Sequence, residues 1–566
     1  MPTAARTTPR RPSLEPEPTM PLETLITGRI ATLAGERGFG WVEAIGIRAG
    51  RIAFAGREVD LETRADPFTV RIRLEPDTAA VPGLTDAHLH LVQAAMATRQ
   101  VDLSASPTLD DGLARIGAAH EALSDVDAWI EGHGWDSDRW GGWPTADALE
   151  TVAPGRRIAI WAHDHHALWA SHAALSGAEL GTGDPPGGVT RRRADGTPEG
   201  VLLEAATRLV TIHVPPMAPA ELERALIEVG RQLVSLGVVA CHDPGGVAPD
   251  PDLLFSYPLY TTLADRGRLP LRVHACMRDD AVAAAIEQGH RSGAPLGQDP
   301  TGRARVGWQK CFADGSLGSR TAALLADIEP EPGRPMAPGQ RRGVWMTEPD
   351  ALAARVARAS AGGIATSIHA IGDAAVRAAL EILTRGATAV PLMPRIEHVQ
   401  MLHPDDRPRF AAGGIAASVQ PVHLGSDAAQ ARRLWGDRAE ATAYTWAAIA
   451  DTGAVMPFGT DAPVEPFDPW PGIALAVRRE DARWPAGTPA FAPEQALTLD
   501  RALRAACIDP AVSARETDRG RLTVGQRADV VVLPAAALNE PVTPGGALAT
   551  ARPTLVLIDG EVVFAA

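Results

Sequence analysis

The sequence predicts an α/β protein: a (β/α)8 TIM barrel with a small β-sandwich domain formed by both chain ends. Three observations carry the prediction. Short apolar runs of strand character recur at 84–90, 238–242, 271–276, 306–312, 364–369, 395–400, 415–420 and 455–461. Helical segments separate them, and in 374–383 the apolar residues recur with the helical period. The two ends of the chain read differently, as alternating strands broken by glycine turns. Eight strands interleaved with helices is the pattern of a closed parallel barrel.

Taken in order, residues 1–20 hold five prolines among scattered Arg and Glu, with no apolar run. That composition predicts a disordered tail and not a secretion signal. Residues 25–30 and 41–56 form a first β-rich unit, and 528–533 with 553–564 supply its expected partner strands. The β-sandwich domain is therefore placed at 21–80 plus 520–566, and the barrel at 81–519. The span from 91 to 236 is too long for one strand-to-strand crossover. It is read as an insertion. Its tryptophans (Trp129, Trp135, Trp140, Trp143, Trp161, Trp169) either wall a pocket or seal against the barrel.

Apolar residues make up 45% of the 566 positions, enough for a large core. The formal net charge of −15 argues against a nucleic-acid or anionic-membrane partner. The short basic runs Arg156-Arg157 and Arg191-Arg192-Arg193 read as solvated loop charge. Cys241, Cys276, Cys311 and Cys507 lie far apart, with no Cys-X-X-Cys pair. Neither a structural zinc site nor a disulfide framework is expected, and a reducing, cytoplasmic location fits. No run of about 18 apolar residues exists to span a membrane.

The chemistry gathers where the barrel strands end. His88 and His90 follow Pro82-Gly83, and residues i and i+2 of a strand share a face. The pair therefore aims two imidazoles at one point. Alone the pattern is weak and suits exposed loop histidines equally well. Other strand ends add Lys310, His369, His398 and Asp461, and active sites of such barrels lie at the carboxyl ends of the strands. Four histidines and an aspartate form a sensible nitrogen and oxygen set for a divalent metal. A metal there would lower the pKa of bound water and polarise a carbonyl. Asp461 would take the proton and pass it to a leaving group.

Five segments resemble the amidohydrolase superfamily: Gly83-Leu84-Thr85-Asp86-Ala87-His88-Leu89-His90, residues 310–322 beginning Lys310-Cys311-Phe312-Ala313-Asp314-Gly315, His369-Ala370-Ile371-Gly372-Asp373, Ile396-Glu397-His398 and Gly459-Thr460-Asp461-Ala462-Pro463. The branch they resemble is the metal-dependent hydrolases of the YtcJ type (amidohydrolase family 3), which includes N-substituted formamide deformylases. Gly134-Trp135-Asp136, His165-His166-Ala167-Leu168-Trp169 and residues 196–204 are similar to its inserted region, and 520–531 to its return into the β-domain.

The resemblance implies that His88, His90 and Asp461 hold one metal and His369 and His398 a second, with one or two Zn2+ ions as the expected cofactor. An ammonium has three donors and no acceptor, so Lys310 cannot ligate as it stands. In related enzymes a lysine at this strand end is carboxylated by carbon dioxide, and the carbamate bridges two metals. An unmodified lysine beside one metal, or a lysine that binds substrate, are the alternatives. His166, Trp135 and Arg320 are the expected substrate-binding residues. Cys241 is read as a packed core thiol rather than the cysteine ligand of the related D-amino-acid deacylases, and His274 as a packing residue.

The expected activity is hydrolysis of a non-peptide C–N bond, that of an N-formyl or N-acyl amine, by metal-activated water. Ester, carbamate or lactone hydrolysis in the same site, or a decayed, non-catalytic barrel, are the competing readings. The expected partner is a small-molecule amide, with self-association into a homo-oligomer left open.

Overall fold

The computed structural model describes residues 22–566 except 126, 179, 182, 246–253, 255, 332–335, 337–338, 387–388 and 540. The proline-rich stretch 1–20, read as a disordered tail, lies outside the described residues. Seven strands form one parallel sheet whose spatial order follows the chain: Leu84–Asp86, Val238–Asp243, Arg272–Arg278, Ala304–Phe312, Thr366–Ala370, Arg395–His398 and Ala416–Ser418. Their register sets Lys310 beside Ser367 and His369 beside Glu397. Helices alternate with the strands, among them Pro349–Ala361 and Asp373–Gly386. In the second, Ala375, Val376, Ala379, Leu380 and Leu383 are buried. That stripe lays one helix face on the sheet.

The eighth expected strand behaves differently. Residues 455–462 make one isolated bridge, Val419 to Phe458, instead of a ladder. Pro457 has no N–H to donate to a neighbouring strand. The segment still bonds both edges of the sheet. On one side Ala417 N–H donates to the Val455 carbonyl (2.9 Å) and Val419 N–H to that of Pro457 (3.0 Å). On the other, Ala87 N–H donates to the Phe458 carbonyl (2.8 Å) and His90 N–H to that of Ala462 (3.0 Å).

The first strand is shorter than the sequence suggests. The Asp86 carboxylate accepts the N–H of His88 (3.1 Å), the N–H of Thr460 (3.1 Å) and the Thr460 hydroxyl (2.6 Å). Such local side-chain bonds compete with a strand ladder. His88 and His90 therefore stand in the turn beyond the strand, and His90 is the N-cap of the helix Leu91–Ala97.

Both chain ends enter one eight-stranded sheet, in which Thr78–Pro82 pairs antiparallel with Val530–Pro534. Alternate residues of that last strand serve two cores. Val530 and Val532 pack with Ile26, Ile45 and Leu557, whereas Val531 and Leu533 join the large core around the parallel sheet. Two buried faces explain four consecutive apolar residues where a half-exposed strand would alternate.

In the chain between the first two strands of the parallel sheet comes a six-stranded sheet, in the order Gly188–Arg192, Pro198–Glu204, Ala167–Ala170, Ile158–Ala162, Ile130–Trp135, Val101–Asp102. Its core holds Trp135 and Trp169, with Trp140 and Trp143 at the margin. Trp129 and Trp161 lie against a smaller cluster around Leu168. Arg156 is buried rather than solvated, because its guanidinium donates to the carbonyls of Asp125 and Ala128. All four cysteines are free and buried, and burial pushes the Cys241 thiol well above its usual pKa. His274 packs between the rings of His242 and Trp308. No helix among the described residues is long and apolar enough to cross a membrane.

Candidate metal centre and catalytic pocket

The carboxyl ends of the parallel strands face a cavity of about 420 Å³. His88, His90, Lys310, His369, His398 and Asp461 all line it. Asp461 is the hub. Its Oδ1 lies 3.3 Å from both His88 Nε2 and His90 Nε2, and its Oδ2 lies 3.8 Å from His398 Nδ1. His398 (φ +73°) and Asp461 (φ +61°) both hold left-handed backbone, which is uncommon outside glycine and collects at functional sites.

Gly459 keeps this corner tight. A Cβ there would fall 2.5 Å from His88 N and 2.6 Å from His88 Cβ. Gly459→Ala is expected to displace His88 and lower metal content and turnover together. Gly142→Ala, with open space around it, is expected to change neither. Metal analysis of the two purified variants checks this, and equal metal content would refute it.

The imidazole tautomers follow from their outer bonds. His88 Nδ1 donates to Glu397 Oε2 (2.7 Å), His90 Nδ1 to the Gly245 carbonyl (2.5 Å) and His369 Nε2 to the Gly315 carbonyl (3.1 Å). Each ring keeps its other nitrogen as a lone-pair donor, the arrangement that orients metal-binding histidines. Burial first, and then the Lys310 ammonium, pushes His88 down to about 4. Burial also holds His369 and His398 well below the usual histidine value, helped by the imidazole next to each. Burial raises the Asp461 carboxyl, but the neighbouring His88 and the hydrogen bond from His423 to Oδ2 outweigh it and hold it well below the carboxylate range. Burial lowers the Lys310 amine, whose Nζ stands 3.5 Å from His88 Nε2.

Two buried atoms, His398 Nδ1 and Asp461 Oδ1, have no hydrogen-bond partner among the described residues. Ligand atoms of His88, His398 and Asp461 all lie within 4.8 Å of one another. An unpartnered buried polar atom costs about 1–3 kcal/mol. Two neutral imidazoles and a carboxylate are a donor set that a divalent cation satisfies at one stroke, so the residues fit a metal.

Of the residues expected to bind substrate, His166 and Trp135 line the cavity. His166 Nδ1 donates to Glu204 Oε2 (2.7 Å), and its ring lies 5.4 Å from that of His369. Burial disfavours its charge, but Glu204 outweighs burial and raises it to about 9. Trp135 Nε1 donates to the Ile160 carbonyl (2.9 Å). Arg320 is not among the lining residues, and its guanidinium is engaged by Glu331 and Asp138.

The sequence reading passed over His423 and Glu465. His423 Nε2 donates to Asp461 Oδ2 (3.1 Å). Glu465 Oε1 accepts from His163 Nε2 (3.2 Å) and from the Ser426 hydroxyl (2.6 Å). Burial lowers His423, but its bonds to Asp461 and Glu465 prevail and raise it to about 10. The sequence does carry a signal: His423 follows the seventh strand, Ala416–Ser418, at the strand end where the other candidate ligands lie.

A model of the Amidohydrolase family matches residues 77–564. The chain belongs to the amidohydrolase family. Protein LONG AFTER FAR-RED 3 of Arabidopsis thaliana is 29% identical over 534 residues, covering 92% of this amidohydrolase and 88% of its own length. YtcJ of Bacillus subtilis (strain 168) is 28% identical over 498 residues, with 87% and 90% covered. The N-substituted formamide deformylase of Arthrobacter pascens is 27% identical over 510 residues, with 87% and 90% covered. Among solved structures, an uncharacterized metal-dependent hydrolase from Pyrococcus horikoshii OT3 aligns with a TM-score of 0.70 at 23% identity, over 90% of this chain and 97% of that one. That last likeness bears on the fold. This amidohydrolase is an enzyme, a hydrolase acting on carbon–nitrogen bonds, which sets aside the decayed-barrel reading.

Proposed function

We propose that this amidohydrolase cleaves the amide bond of an N-formyl or N-acyl amine. The observation that carries the reading is Asp461, a buried carboxylate where His88, His90, His398 and His423 meet. It stands in a cavity of small-molecule size. The frame is read as a closed (β/α)8 barrel over 81–519 with a β-sandwich at 21–80 plus 520–566. Similarity to the Arthrobacter pascens formamide deformylase supports the choice of bond.

His88, His90, His369, His398 and Asp461 would hold one or two ions, and zinc suits their nitrogen-rich set. When bound, the metal lowers the pKa of water toward neutral and polarises the amide carbonyl. Asp461 accepts the proton of the attacking water and returns it to the leaving nitrogen. His423 steadies the carboxylate from its second oxygen. Burial favours the neutral Lys310 amine, which can add to carbon dioxide with loss of one proton. The carbamate oxygens would then ligate where an ammonium cannot. Trp135, Trp143 and His166 line the same cavity; the indoles would offer an apolar wall to a hydrophobic substituent and His166 a polar contact. Four buried thiols suit a reducing, cytoplasmic setting.

The test is a screen of N-formyl and N-acyl amines with zinc-loaded enzyme, with and without chelator. The expected result is chelator-sensitive release of formate or another acid from one amide class. Turnover confined to esters, carbamates or lactones would overturn the proposal.

A further inference from the structure

Beneath the metal set, the barrel interior carries charge where layers of branched apolar side chains are usual. Ser367, His242, Trp308, Arg395 and Glu397 are all fully buried. The two Glu397 oxygens have separate duties. Oε2 accepts from His88 Nδ1 at 2.7 Å, while Oε1 faces Arg395 Nε at 2.6 Å and receives the Ser367 hydroxyl. Arg395 is seated in turn. Its Nη1 donates to His242 Nδ1 at 2.9 Å, and its guanidinium lies 4.0 Å over the Trp308 ring. Fold stability alone does not call for this arrangement, since apolar side chains in place of a buried ion pair are often neutral or stabilising. What distinguishes this pair is where its contacts lead, which is a metal-facing imidazole.

We infer that Arg395 is a positioning residue for the metal: seated on His242 and Trp308, it fixes Glu397 so that Oε2 alone meets His88 Nδ1 and His88 Nε2 points at Asp461. The inference rests on the metal-centre reading above. Among the described residues the guanidinium of Arg395 engages Glu397, His242 and Trp308, and it acts on His88 through Glu397. A planar guanidinium suits the task because it engages a carboxylate, an aromatic face and an imidazole in fixed directions, which a lysine ammonium does not.

The test measures zinc affinity by chelator competition and the absorption spectrum of the cobalt-substituted protein. The proteins compared are wild type, Arg395→Met, Arg395→Lys, Glu397→Gln and the Arg395→Met/Glu397→Gln double variant. Outer partners of ligating histidines are worth 10–100-fold in metal affinity, so Arg395→Met is expected to weaken zinc by about 10-fold and shift the cobalt bands. Arg395→Lys should recover part of the loss. The double variant should be no weaker than Glu397→Gln, because Arg395 acts through that carboxylate. If Arg395→Met does not fold, His242→Asn carries the test, since it keeps the charge but loosens its seat and should shift both readouts the same way. A lower Tm with wild-type zinc affinity and spectrum would overturn the inference, as would full additivity in the double variant. Failure of the wild-type protein to bind zinc would instead refute the metal-centre reading on which the inference stands.

Discussion

Asp461→Asn is expected to lower kcat by about 10³-fold at saturating metal, within the range of general acid–base catalysis. The substitution isolates the chemistry. Asparagine has nearly the shape of aspartate and tolerates left-handed backbone, so the φ of +61° adds no new strain. What goes is the negative charge between His88, His90, His398 and His423, and with it the ability to take a proton. Weaker metal binding should accompany the loss of rate, and the melting temperature of the metal-free protein should fall, because the variant leaves the buried His423 without its anionic partner. A kcat within tenfold of wild type, with metal bound, would remove Asp461 from the proton-transfer role.

Lys310→Met is the second large effect. Methionine nearly fills the fully buried space but offers no amine to carbon dioxide. If a carbamate supplies ligands, its loss removes several kcal/mol of transition-state stabilisation by the metal, a fall in kcat of about 10³-fold. Protein grown or incubated with ¹³C-bicarbonate should show a carbamate carbon signal, absent from the variant. Short carboxylic acids added to Lys310→Ala should restore part of the activity by lending the missing oxygens. An unchanged kcat and metal stoichiometry in Lys310→Met would leave Lys310 as a buried amine beside His88 and nothing more.

The ligand-bearing strand ends were legible because each is a local pattern, a short apolar run closed by a histidine, lysine or aspartate. Parallel strands fully covered by helices write themselves as unbroken apolar runs, and 238–241 could be read on that basis. What pairs across the barrel was not legible. His423 meets Asp461 only because the seventh strand and the irregular 455–462 segment lie side by side. Arg395 looks like any polar residue opening a strand, and its burial depends on Trp308 and His242 from two other strands. His88 and His90 converge as expected, but from a turn that Asp86 draws tight rather than from a pleated strand. Arg156 sat in a run that reads as solvent-facing charge, and only the fold reveals the carbonyls waiting for it.

The pairing of Thr78–Pro82 with Val530–Pro534 sets an order for the birth of the protein. Thr78–Pro82 leaves the ribosome about 450 residues before Val530–Pro534, the strand that covers its edge. At about 5–20 residues per second, the wait is on the order of tens of seconds. During that time an unclosed sheet edge stands open to other nascent chains. A chain that lacks Val530–Pro534 would lose the latch over Thr78–Pro82, so truncation before residue 530 should produce aggregation rather than a smaller working enzyme.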